Sequence, residues 1–158
     1  MKAAVLALLV LAPVSAAAAT ADDVYALYAR GDYAEAIHAG EASNSAAGLA
    51  TAARAVLADD VLRDSPCMPC LQRAESLARQ AVALDPYHAF GQVWLAVALG
   101  YQARITGAIK ARIANTPAQS KAALDQAVRS IHDFWLRTAT VNATSDRAGQ
   151  AAARASAA

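Results

Sequence analysis

Apolar residues recur along this chain at the three- and four-residue spacing of a helix face, in segments separated by capping and turn residues. Asp22 can cap a first helix, which runs through Val24, Leu27 and Tyr28 to Gly31, a natural C-terminal stop. Asp32 then opens a second helix, with Glu35 three residues on to complete a capping box. That helix buries Tyr33, Ala36 and Ile37 and ends at Ser43-Asn44-Ser45. A third runs from Ala46 to Leu62 on Leu49, Ala53, Val56, Leu57 and Val61. Ser65 and Pro66 form the next start signal, predicting a fourth helix from Pro66 to Leu84. Its Leu71, Ala74, Ala78, Ala81 and Val82 share one face, with Gln72, Arg73, Glu75, Ser76, Arg79 and Gln80 on the other. After the Asp85-Pro86 turn, a fifth helix from Tyr87 to Ile105 is apolar on nearly all sides, which predicts a central position. Gly107 opens a basic stretch from Ile109 to Asn115, and Thr116-Pro117-Ala118-Gln119 starts a last helix carrying Ala123, Leu124, Ala127, Val128 and Ile131. The pattern predicts an all-α domain over residues 22–136, made of six or seven antiparallel helices. Residues 137–158 contain almost no large apolar side chain, which predicts a disordered or frayed low-complexity tail with some alanine-driven helicity.

Composition changes this picture at the N-terminus. The chain is 57% hydrophobic, and most of the excess is alanine, which favours helices and close helix approach. Residues 1–21 read as a signal peptide: Lys2 supplies the positive start, Ala3 to Ala12 an apolar core, and Pro13 breaks it. Ala19-Thr20-Ala21 before Asp22 fits the small-x-small rule for cleavage near Ala21. An uncleaved membrane anchor is the rival, but the core is short for a bilayer. The expected location is therefore periplasmic or secreted. Lys2 is one of 14 basic residues, so 13 remain in the mature chain against 13 acidic ones. Neutrality offers no electrostatic reason to bind nucleic acid or an anionic membrane. The longest uncharged apolar run of the mature part, Val93 to Leu99, is far below a membrane span.

Spacing within the helices points further. In "RAESLARQAVALDP", Ala74, Ala81 and Pro86 stand where tetratricopeptide repeats place two small residues and a closing proline. Trp94, Val97, Ala98 and Tyr101 then follow the large, medium, small, large order of a first repeat helix, and "GDYAEAI" supplies Gly31, Tyr33 and Ala36 as an earlier turn and second helix. The chain thus resembles a tetratricopeptide-repeat protein, an α-solenoid of antiparallel helix pairs. An insertion around Cys67 and the stretch Ile105 to Pro117 break a strict period, so an ordinary helical bundle is the alternative. Val93 to Val128 further resembles the regulator of microtubule dynamics family and its bacterial relatives, on Gly107, Ile109, Lys110, Ala111, Arg112, Ile113, Ala114 and Asn115 and the helix with Ala123 and Ala127. The resemblance covers about Asp22 to Val128 and implies a binding or scaffolding role without catalytic residues. It also implies that relatives continue past Val128, so a truncated or frame-shifted chain would account for the low-complexity stretch after Arg129.

Little in the sequence carries chemistry. Cys67-Met68-Pro69-Cys70 admits two readings in an oxidising compartment: a local disulfide, or a thiol-disulfide oxidoreductase with a lowered thiolate pKa at a helix start. No strand pattern flanks the pair, as a thioredoxin-like context requires, which favours the disulfide. Zinc needs further ligands, haem attachment needs histidine where Leu71 stands, and His38, His88 and His132 lack pairing spacing. No metal or cofactor is therefore expected, and no enzyme activity. Arg104, Lys110, Arg112 and Lys121, with Asn115 among them, form the one basic concentration. It reads as a solvated face or as a cradle for an acidic peptide or terminal carboxylate, with Trp94 and Tyr101 as core or as anchors at a groove edge. The candidate partner-binding set is Trp94, Tyr101, Arg104, Lys110, Arg112 and Asn115, and the expected partner is another protein or peptide.

Overall fold

A computed structural model describes residues 19–62 and 67–156. The predicted leader core and the Ser65-Pro66 start signal lie outside the described residues. Among these residues all regular structure is helical, in the order α1 (Ala21–Arg30), α2 (Tyr33–Ala42), α3 (Ala46–Leu62), α4 (Met68–Leu84), α5 (Ala89–Thr106), α6 (Ala108–Ile113) and α7 (Thr116–Ser156). Among the described residues no helix is long and apolar enough to cross a membrane.

Local chemistry explains the ends. Thr20, rather than Asp22, caps α1: its hydroxyl accepts from the Asp23 amide while the Asp23 carboxylate accepts from the Thr20 amide. These bonds hold the Asp23 carboxyl below its ordinary pKa. Gly31 closes α1 in the left-handed conformation, φ 85°, where a side chain would be strained. Asp32 does stand at the start of α2, but its side chain makes no cap there and accepts from Arg30 Nε instead, 3.0 Å. Asn44 and Asn115, both at positive φ, turn the chain into α3 and α7. At α7 Gln119 donates to the Ala114 carbonyl and accepts from Arg79. Helix α4 begins at Met68, two residues later than predicted, and α5 at Ala89.

Each helix packs on its chain neighbour from α1 to α5, and α6 packs on α5 and α7. A second set of contacts joins α1 to α3, α3 to α5 and α5 to α7. Helices α3 and α5 thus become the centre, and the apolar surround of α5 is used. Alanine makes the packing close: Ala36, Ala52, Ala53, Ala55, Ala74, Ala78, Ala81 and Ala98 have no exposed surface. The α2–α3 approach is closer still, since a Cβ on Gly40 would stand 2.6 Å from the Gly48 carbonyl oxygen.

The C-terminal part has two features of note. Residues 137–156, expected as a disordered or frayed tail with some alanine-driven helicity, continue α7 as helix. Helix formation needs only backbone bonds and favourable propensity, and alanine has both. The apolar residues of α7 also divide. Ala123, Ala127 and Ser130 are buried, whereas Leu124, Val128, Ile131 and Trp135 lie about one residue further round and stay exposed.

Candidate functional site

Helix α3 contains a single cation, Arg54, in the midst of buried Ala50, Ala52, Ala53 and Ala55. A guanidinium stays charged at any ordinary pH, so partial burial costs solvation unless something compensates. Aromatic faces supply part of the compensation. The guanidinium carbon lies 4.2 Å from the ring centre of Tyr28 on α1 and 5.3 Å from that of Trp94 on α5. Among the described residues no carboxylate or carbonyl accepts from Arg54, and none has a buried side-chain nitrogen or oxygen left unsatisfied. Its free N–H groups therefore reach solvent, and they do so in a groove.

That groove consists of two hollows that share Arg54 and Trp94, each of about 330 Å³. One is lined by Tyr25, Thr51, His88 and Phe90, the other by Tyr28, Tyr33, Leu57, Val97 and Tyr101. The rings of Tyr25, Tyr28 and Tyr33 follow one another along one wall, with centres 6.2 and 5.7 Å apart. Phe90 is 65% exposed at the rim, a large apolar surface offered to solvent. His88 is the N-cap of α5, with Nδ1 accepting from the Gly91 amide at 3.1 Å. Burial pushes its pKa below the ordinary 6.5, against the opposing pull of the Asp85 carboxylate. It thus lines the groove as a neutral ring.

The predicted site residues do not converge. Trp94 and Tyr101 are half-buried and line the groove. Arg104 lies beside them, its guanidinium 5.3 Å from the Tyr101 ring centre. Arg112 and Asn115 line a different cleft of about 490 Å³ between α5, α6 and α7, and Lys110 is exposed on α6. Lys121, the remaining member of the basic concentration, is paired with Asp125. The basic cradle read from the sequence is therefore not one site. What the sequence reading passed over is Arg54 with Tyr25, Tyr28 and Tyr33. A lone arginine in an alanine-rich helix was the available signal.

Cys67 and Cys70 are joined in a disulfide, Sγ to Sγ 2.07 Å. Cys67 is the N-cap of α4, its sulfur facing the Cys70 amide at 3.1 Å. The buried carboxylate of Asp60, on the last turn of α3, accepts from the Cys67 amide at 3.0 Å and ties the incoming loop to the core. Asp60, Cys67 and Cys70 bring three potential ligand atoms within 4.8 Å of one another, but the bonded sulfurs offer no thiolate for a metal.

No protein-family model, no curated protein and no solved structure matches this chain.

Proposed function

We propose that this protein is an exported binding module that holds a segment of another protein in the groove around Arg54 and Trp94, without catalysing a reaction. The observation that carries the reading is the groove itself: a half-buried cation with no carboxylate partner among the described residues, flanked by aromatic rings whose apolar faces are open to solvent. Aromatic and arginine side chains dominate binding energy at protein interfaces because they combine large apolar area with directional polar atoms. The tetratricopeptide-like reading fits the same face. In such a solenoid the first helix of each pair touches the first helix of the next, and contacts of this kind join α1, α3, α5 and α7. The groove draws Tyr28, Arg54 and Trp94 from three of those four helices.

The experiment places a photo-crosslinking p-benzoylphenylalanine at Phe90 on the groove rim, and separately at Gln72 on the exposed side of α4, in producing cells. Crosslinked protein that forms from position 90, and is lost when Trp94→Leu is added, supports the reading. Equal capture from both positions, or none from 90, overturns it.

Thiol–disulfide exchange is the second reading, favoured by one observation: a buried carboxylate, Asp60, stands against the cysteine pair and could take a proton from a thiol. An insulin-reduction assay with the purified protein decides it. Catalytic turnover that disappears in Cys67→Ser would replace the binding reading with an enzymatic one.

A further inference from the structure

The groove places one positive charge between two apolar hollows, and this selects the chemistry of its occupant. We propose that it binds an extended peptide segment in which one aspartate or glutamate side chain pairs with Arg54 while apolar side chains before and after it fill the two hollows. The inference rests on the binding reading above and adds the identity of the recognised group.

Charge comes first. The guanidinium has no acceptor among the described residues, and Arg54 lines both hollows. A carboxylate meets that fork with two parallel hydrogen bonds, and walls of aromatic and aliphatic carbon weaken the competition from water. The number of charges matters as much. Among the described residues Arg54 is the one cation lining either hollow, since burial and the cap bond to Gly91 favour the neutral ring of His88. A phosphoryl group carries about −1.5 to −2 and is ordinarily met by an arginine cluster, so a single guanidinium would leave it half neutralised. One carboxylate balances it.

Shape decides between a side-chain and a terminal carboxylate. The two hollows share Arg54 and Trp94, so the groove continues past the cation in both directions. A chain ending at Arg54 would fill one hollow and leave the other wet. An internal acidic residue lets the chain run on, with one apolar group against Tyr25 and Phe90 and another against Tyr33, Leu57 and Tyr101.

The test starts from a random peptide library displayed on phage and panned on the purified protein. The best peptide, acetylated and amidated, is titrated calorimetrically into the wild type and into Arg54→Gln, Arg54→Lys and Trp94→Leu, each first checked for helical circular dichroism. Selected sequences are expected to share an acidic residue between apolar ones. Changing that Glu to Gln should weaken binding about tenfold or more, Arg54→Gln should do the same, and the two together should cost little more than either. Arg54→Lys, which keeps the charge without the fork, should fall between. If Arg54→Gln does not fold, the Glu-to-Gln peptide and Arg54→Lys carry the same comparison. Peptides that need Trp94 but select no acid, or tolerate Arg54→Gln, overturn the carboxylate pairing and leave the binding reading standing. Peptides that bind only with a free C-terminal carboxylate overturn the side-chain assignment. Failure to select any peptide, or binding indifferent to both Trp94 and Arg54, overturns both.

Discussion

Gly40 and Gly100 are both helical glycines, and they behave oppositely once packing is considered. Helix propensity alone favours alanine over glycine by about 1 kcal/mol at either position. At Gly100 a Cβ would meet nothing nearer than Ser120 Oγ at 3.8 Å, so Gly100→Ala should raise stability by about 0.5–1 kcal/mol. At Gly40 the new atom would stand 2.6 Å from a backbone oxygen and 2.7 Å from Ala52 Cβ, neither of which can swing away. Overpacking of about 1–3 kcal/mol then exceeds the propensity gain, and Gly40→Ala should be net destabilising. Urea denaturation of the two variants gives both signs at once. His88 offers a second test at this scale. Its pKa is lowered on folding by burial, so the unfolded chain binds the extra proton more readily. Its contribution is therefore complete above the ordinary value of 6.5 and is lost as pH falls from there through the lowered folded value. Protonation also removes the acceptor that caps α5. A fall in thermal midpoint between neutral and mildly acid pH is expected, and His88→Asn, which keeps a cap and cannot titrate, should flatten it.

Helix α7 shows that an apolar pattern can mark a helix without telling which of its apolar residues are buried. Ala127 is 2% exposed and Val128 66%, although valine is the more apolar of the two. Ala127→Leu should cost about 1–3 kcal/mol by overpacking the α5–α7 contact, whereas Val128→Gln should stay within about 0.5 kcal/mol of wild type. Equal effects in chemical denaturation would contradict the packing face. At α4 the disulfide closes a loop of very few residues. In the chain-entropy picture it contributes only about 2 kcal/mol. Replacing both cysteines with serine should lower stability by about that amount while circular dichroism stays helical. Loss of the fold would mean that the Asp60 tie to the Cys67 amide depends on the bond.

For the whole molecule, the groove depends on contacts that skip a helix. Tyr28, Arg54 and Trp94 come from α1, α3 and α5, and the link is made by the α1–α3 and α3–α5 packing. Arg54→Gln removes two cation–aromatic contacts of about 0.5–1 kcal/mol each and also removes a half-desolvated charge. The terms oppose one another, so the unfolding free energy should change by less than about 1 kcal/mol while any groove ligand is weakened. Most element positions were legible in the residues themselves. The boundaries at Gly31, Ser43-Asn44-Ser45 and Asp85-Pro86 follow from backbone and capping chemistry within a few positions, and α3 runs from Ala46 to Leu62 as its pattern predicts. The buried small residues Ala74, Ala81 and Ala98 were legible too, because close packing of helices demands small side chains at helical spacing. Tertiary structure alone decided the rest. It turned Leu124, Val128 and Ile131 outward, and carried Arg112 and Asn115 away from Trp94. It also brought three tyrosines to a lone arginine. The physical reason is that local sequence determines the phase of each helix's own pattern, whereas the face that meets a neighbour depends on which other helix arrives there.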